Sequence, residues 1–267
     1  MSLEGKSCIV TGAANGVGRA IAQRFAESGA LVTLVDLDEE RLGTAVAELE
    51  GRNLAVQGFS GDLTEKLTIA NLISATIDAY DRLDILVNAS RRIHLADPMD
   101  DDDGEMSRMI DQNVLANLAL SRSFAQKIMK QNEGLDPEDR PDAAIVNVTS
   151  IATKRTIRNL GIYAVASAAL DQLTRSLAVS LAEEGIRVNG LALGSVLSSW
   201  LRQTLNENGE LRDRMVSATP MGRIGDSEEA ANACLFLASP QASFVTGQIL
   251  TVDGGRTLFD PVDLPAY

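Results

Sequence analysis

The stretch TGAANGVG, residues 11–18, sets glycines at positions 12, 16 and 18. That spacing suits a pyrophosphate. Gly12 allows a tight turn, while Gly16 and Gly18 let backbone and helix start come close to the phosphates, whose charge a helix N-terminus favours. Asn15 and Val17 complete the same cradle. Roughly 20 residues further on, where an adenosine ribose would lie, stands Asp36, followed by Leu37. An acidic side chain there accepts hydrogen bonds from the ribose hydroxyls and repels a 2′-phosphate. No arginine sits inside the glycine loop or directly after Asp36. The pattern therefore favours NAD over NADP. Asp38, which opens a run of acids in DLDEER, better suits the N-cap of the next helix.

Such a cradle must be held between a strand and a helix. SCIVTG, LVTLVD, LAVQGF, LDILVNA, AAIVNVTS, IRVNGLAL and QILTVDGG read as strands, mostly continuous apolar runs of the kind found in parallel sheets covered on both faces. Helix-length segments lie between them at 17–28, 39–50, 65–80, 104–130, 162–184 and 227–238. The alternation predicts a Rossmann-like, doubly wound α/β fold of about seven parallel strands, formed as a single domain over residues 1–267. Ligands of such sheets bind beyond the carboxyl ends of the strands. The polar, proline-interrupted stretch QNEGLDPEDRPD reads as a surface loop.

Composition narrows the partners. A formal net charge of −13 disfavours nucleic acid and anionic membrane surfaces. There is no apolar run of about 18 residues, and the N-terminus lacks the pattern of a signal peptide, so a soluble, cytoplasmic protein is expected. Cys8 and Cys234 lie far apart within apolar stretches and read as buried free thiols. A single histidine, His94, leaves no histidine-based metal cluster and no Ser-His-Asp triad to assemble. DPMDDDDGEM has acids enough for calcium, but Met99 and Ile110 fall where oxygen ligands are needed, so a solvated loop and helix start are expected.

The glycine spacing, GDL at 61–63, LVNA at 86–89, NV at 113–114, IVNVTS at 145–150, Tyr163 thirteen residues after Ser150, and TGQILTVDGG at 246–255 together resemble the short-chain dehydrogenase/reductase family. The resemblance runs along essentially the whole chain. It implies that Asp62 and Leu63 border the adenine, that Asn88 and Ala89 support the cofactor side of the sheet, and that Gly194, Val196 and Ser198 face the nicotinamide. It further implies that Ser150 polarises a substrate oxygen, that Tyr163 transfers its proton, and that Asn113 holds a water in a proton relay. Hydride transfer to a carbonyl builds negative charge on oxygen, which needs a hydroxyl donor within about 3 Å and a second group to deliver a proton. A small-molecule carbonyl or alcohol substrate, a substrate lid at 195–224 with Trp200 and Met215 on an apolar wall, and a homotetramer paired through 104–130 and 162–184 on one face and through the last helix and strand on another follow from the same resemblance.

Three positions depart from the family pattern. Four residues after Tyr163, on the same helix face, the family carries a lysine whose charge favours phenolate and whose ammonium binds the nicotinamide ribose; here stands Ser167. An ordinary tyrosine, with a pKa of about 10, is only about one part in a thousand phenolate at pH 7. A neutral serine supplies no charge to change that. Ser90 replaces a glycine, where it would crowd the cofactor, and Leu193 replaces a proline, loosening a turn. Lys154 or Arg155 would be alternative sources of a cation near Tyr163. Arg91, Arg92, His94, Lys154, Arg155 and Arg158 would otherwise form a basic rim for an anionic substrate, or remain solvated. Two functions stay open: an NAD-dependent oxidoreductase with the altered tetrad Asn113, Ser150, Tyr163 and Ser167, slow or biased toward reduction, and a noncatalytic nucleotide-binding relative.

Overall fold

The computed structural model describes residues 1–96, 99 and 104–260. Among them, seven strands form one parallel sheet in the order β3-β2-β1-β4-β5-β6-β7. They are β1 (Ser7–Thr11), β2 (Leu31–Asp36), β3 (Val56–Ser60), β4 (Ile85–Asn88), β5 (Ala143–Ser150), β6 (Ile186–Leu193) and β7 (Ile249–Val252). The central strands are apolar because both of their faces are covered: β1, β4 and β6 are buried at every position.

On one face lie α1 (Gly16–Glu27), α2 (Glu39–Glu50) and α9 (Ser227–Ala238), contributing Phe25, Leu42, Leu49 and Leu235 to the core. On the other, α3 (Lys66–Tyr80), α5 (Ala116–Gln131) and α6 (Gly161–Leu181) contribute Leu72, Phe124, Ile128 and Ala178. Both thiols, Cys8 and Cys234, are free and buried, and burial is the main cause that pushes each above the ordinary thiol range. No helix among the described residues is long and apolar enough to cross a membrane.

Chain order reverses between β1 and β4. From β1 the chain winds outward through β2 and β3, then returns to lay β4 on the other side of β1, with Val10 opposite both Leu34 and Val87. The loops leaving β1 and β4 therefore diverge, opening the crevice that doubly wound folds use for ligands.

Two helical stretches differ from expectation. The segment 104–130 is α4 (Glu105–Ile110), a π-helical turn at Asp111–Leu115, and then α5, while α6 ends at Leu181 with a 3₁₀ turn over Ala182–Glu184. A π-turn shifts hydrogen-bond partners without changing the apolar pattern, so periodicity does not reveal it. The segment 195–224 carries two helices, α7 (Ser199–Glu207) and α8 (Gly209–Ser217), each opened by a side-chain cap, from Ser198 and Asn208. Asp97, Asp100, Asp101, Asp102 and Asp103 of the acidic run, and the side chain of Trp200, lie outside the described residues.

Candidate active site

The glycine loop ends in a helix start that lacks its own cap. Asn15 occupies the N-cap of α1 in an extended conformation, its side chain makes no capping bond, and the first turn holds no acid. By contrast Asp38 caps α2, accepting from the Arg41 N–H at 3.1 Å, and Glu39 and Glu40 follow it. The N–H groups at the start of α1 thus remain available to an anion. Gly12 has φ +65° and Gly16 φ +56°, both in the left-handed region. Gly18 is required by packing, since a Cβ there would lie 2.1 Å from the Gly12 carbonyl oxygen.

An open crevice of about 860 Å³ runs past Gly12, Asn15, Gly16, Val17 and Gly18 to Asp36 and Leu37 in one direction and to Ala89, Ser90, Arg91 and Ser198 in the other. A smaller hollow of about 400 Å³ adjoins it, lined by Asp36, Leu37, Asp62 and Leu63. Three main-chain N–H groups, from Ala14 at 3.0 Å, Leu37 at 2.8 Å and Asp38 at 3.2 Å, hold the Asp36 carboxylate at the end of β2. Asp62 accepts from the Thr64 N–H at 2.9 Å and from its hydroxyl at 2.8 Å, fixing the turn before α3.

Beneath the crevice, Asn88 donates to Asn147 Oδ1 at 2.8 Å and Asn147 donates to Thr174 Oγ1 at 2.8 Å, tying β4, β5 and α6 together. The loop leaving β4 is anchored twice. Thr11 Oγ1 accepts from the Ala89 and Ser90 N–H groups, each at 3.0 Å. Two residues on, the Asn113 side-chain oxygen accepts from the Arg92 N–H at 2.7 Å and its amide donates to the Arg92 carbonyl at 2.8 Å. Asn113 lies in the π-helical turn, and Asn117 Nδ2 donates to its carbonyl at 2.8 Å.

Ser90 does not strain the loop, because it stays outside the left-handed region. The tight approach instead constrains Gly12, where a Cβ would come within 2.9 Å of the Ser90 main chain. Leu193 is buried as the last residue of β6, in register with Ser150 and Val252. Beyond it, Gly194 leaves no room for a Cβ, which would meet Asp253 Cβ at 2.4 Å. Val196 bridges to Gly225, and the Ser198 hydroxyl accepts from the Leu201 N–H at 3.2 Å while the residue lines the crevice.

Ser150 ends β5, its hydroxyl accepting from the Ala152 N–H at 3.2 Å. On α6 the buried stripe includes Tyr163, Ala166, Ser167, Leu170, Thr174 and Ala178, the spacing of one helix face. Tyr163 and Ser167 therefore share the covered side, with Tyr163 only 4% exposed and packed against Met109 and Ala152. Arg91 reaches this phenol from the β4 loop: its Nη1 donates to Tyr163 Oη at 3.0 Å and to the Thr149 carbonyl at 3.4 Å.

The other basic residues go elsewhere. Lys154 donates to Thr251 Oγ1 at 2.8 Å and Arg155 to the Thr257 and Phe259 carbonyls, so neither supplies the alternative loop cation at Tyr163. Arg92 and Arg108 both bond Glu105, the Arg92 hydrogen bond being the largest influence that holds its carboxyl down to about 2. His94 Nδ1 lies 3.9 Å from the same carboxylate, and Arg158 is exposed.

A parallel sheet covered by helices on both faces, with its crevice at the point of strand reversal, defines a Rossmann-like protein. A family model described as enoyl-(acyl carrier protein) reductase matches residues 12–257. The chain is 35% identical over 257 residues to the 7alpha-hydroxysteroid dehydrogenase of Escherichia coli (strain K12), covering 96% of this chain and 95% of that one. A solved structure of 7 alpha-hydroxysteroid dehydrogenase complexed with NADH and 7-oxo glycochenodeoxycholic acid superposes with a TM-score of 0.87 at 33% identity, over 95% of both chains. A gluconate 5-dehydrogenase from Burkholderia cenocepacia J2315 in complex with NADP and tartrate gives 0.88 at 26% identity, over 97% of this chain and 98% of that one. The chain belongs to the short-chain dehydrogenase/reductase family.

Proposed function

We propose that this protein is a nicotinamide-dependent oxidoreductase that interconverts a small-molecule carbonyl and alcohol, prefers NAD, and works best in the reductive direction. One observation carries the reading: a single crevice joins the uncapped start of α1 and the Asp36 carboxylate to Arg91, which bonds the buried Tyr163 phenol. The residues present fit a dinucleotide. Free N–H groups at Gly16, Val17 and Gly18 would hold the pyrophosphate, Asp36 the adenosine ribose, Asp62 and Leu63 the adenine, and Ser198 and Val196 the nicotinamide side. When bound, the nicotinamide supplies or accepts hydride.

Ser150 would donate a hydrogen bond to the substrate oxygen and Tyr163 would deliver the proton. Reduction begins from the neutral phenol, the form an ordinary tyrosine already has at pH 7. The serine at position 167 stands where the family has lysine, so the tetrad is Asn113, Ser150, Tyr163 and Ser167, with turnover slow in the oxidative direction. Asp36 supports NAD, because its charge repels a 2′-phosphate. With Arg92 and Arg108 committed to Glu105, the crevice rim offers an anionic substrate less charge than a count of basic residues implies. Residues 195–224 are assigned to the substrate lid. The exposed apolar residues Leu115, in the turn before α5, and Val165 and Val179, on α6, support pairing through 104–130 and 162–184 in a cytoplasmic homotetramer.

A buried, neutral Ser167 also favours a second reading, a nucleotide-binding protein without turnover. Calorimetric titration with NAD and NADP, followed by a carbonyl and alcohol screen of wild type and Ser167→Lys, decides between them. Tighter binding of NAD and measurable carbonyl reduction by wild type are expected. Binding without any turnover in wild type, with activity appearing only in Ser167→Lys, would establish the second reading.

A further inference from the structure

We infer that Arg91 is a catalytic cation of this active site, stabilising from the β4 loop the charge that builds on Tyr163 during reduction, without the ribose contact that a lysine at position 167 would add. The inference rests on the reductase reading above and adds a catalytic residue to it. A guanidinium has donors only and stays charged throughout the accessible pH range. In the 3.0 Å contact between Arg91 Nη1 and Tyr163 Oη, the phenol oxygen must therefore accept. Its own hydrogen is left free to point at a substrate oxygen.

Reduction then balances simply. The Tyr163 O–H bond would break as the O–H bond of the product alcohol forms, and a bound reduced nicotinamide would supply the hydride for the carbonyl carbon. The electron pair left on Tyr163 faces an N–H of fixed positive charge, and the phenol is reprotonated from solvent. Hydrogen bonds between charged partners are about twice as strong as neutral ones, so this contact strengthens as the proton leaves, the condition for lowering a barrier.

The loop is built to hold this pose. Thr11 Oγ1 fixes the peptides at Ala89 and Ser90, the Asn113 side chain fixes the peptide at Arg92, and Arg91 lies between the two anchors. Its second bond, to the Thr149 carbonyl at 3.4 Å, places the guanidinium beside the end of β5, next to Ser150. Glu105, the nearest acid in the loop's network, is engaged by Arg92 and Arg108, and among the described residues no carboxylate forms an ion pair with Arg91. Arg91 comes from the opposite side of the phenol's sequence neighbourhood, 72 residues away along the chain.

The test compares wild type with Arg91→Gln, Arg91→Lys and the double variant Arg91→Gln with Ser167→Lys, checked for fold by circular dichroism. Carbonyl reduction by Arg91→Gln should fall about 100-fold in kcat, the scale seen when one charge-stabilising donor is removed, while substrate KM moves less than about threefold. Arg91→Lys should retain at least about tenfold more activity than Arg91→Gln, and the double variant should recover by a similar factor. An activity-independent reading comes from absorbance at 295 nm, which reports ionised phenol. The chain has three tyrosines, and Tyr80 is pushed up to about 12, chiefly by burial, so it stays silent at pH 9.5. Subtracting the Tyr163→Phe spectrum isolates the phenol of interest, whose phenolate band should be about threefold or more larger in wild type than in Arg91→Gln.

An Arg91→Gln enzyme with unchanged kcat and phenolate band would overturn the assignment. So would a faster Arg91→Gln enzyme, which would mark Arg91 as an obstruction in the crevice. A wild type inert toward every carbonyl but showing the phenolate difference would sink the reductase reading and leave the cation assignment standing.

Discussion

The two ends of the crevice are built from different materials. At the end proposed for the adenosine and pyrophosphate, the groups are mostly main chain: the N–H groups of an uncapped helix, glycines whose Cβ atoms would collide with backbone, and an aspartate clamped by three peptides. At the end proposed for the reaction, the groups are side chains: Ser150, Tyr163 and Arg91, the last held by anchors on either side of its loop. Main-chain sites tolerate little change, because a glycine required by contact has no substitute. Side-chain sites can move a charge from one element to another. That is the difference between Ser167 on α6 and Arg91 after β4.

The largest effect should follow from breaking the backbone end. Gly18→Ala would place a methyl 2.1 Å from the Gly12 carbonyl oxygen, so the loop must shift. A loss of about 3 kcal/mol in urea unfolding, together with loss of dinucleotide binding by calorimetry, is expected. Asn113→Ala should act at the other end by releasing the Arg92 peptide: kcat should fall about tenfold while NADH affinity changes less than about twofold, as for a misplaced catalytic group. Asp36→Asn keeps an acceptor oxygen for the Ala14 N–H but removes the charge, and the NADP/NAD affinity ratio should rise about fivefold.

The smallest effect concerns acid stability. Glu105 is held to about 2 in the folded chain, mainly by the Arg92 hydrogen bond and then by Arg108, against an ordinary value of 4.5. Its folded value lies below its unfolded one, so this contribution is present above pH 4.5 and is lost as pH falls toward 2. Thermal unfolding between pH 5 and about 2.5 should show a shallower decline of Tm in Glu105→Gln than in wild type.

The sheet was the most legible part of the sequence. Strands covered on both faces carry mostly unbroken apolar runs, and each of the seven expected stretches overlaps an observed strand, β3 running one residue further, to Ser60. Asp38 as the cap of α2 and the thiols of Cys8 and Cys234 as buried and free were equally readable, since each depends on local pattern. The π-turn around Asn113 and the helices α7 and α8 were not. The first leaves no periodic trace, and the others are short, polar segments within an expected lid. The bond from Arg91 to Tyr163 joins residues 72 apart and depends on how two loops fold back, which no local pattern encodes. A usable signal did exist: an arginine pair directly follows LVNAS in a chain whose helix lacks the lysine. Lys154 and Arg155, the alternative cations that the sequence offers, have their partners on β7 and the segment beyond it.

The most direct measurement is single-turnover oxidation of bound NADH at 340 nm, with an accepted carbonyl, in wild type and Tyr163→Phe. Removing one oxygen atom leaves the crevice and α6 intact. The hydride step should slow by about 1000-fold or more, with NADH affinity unchanged. Equal rates in the two proteins would show that the Tyr163 hydroxyl does not deliver the proton and would contradict the account.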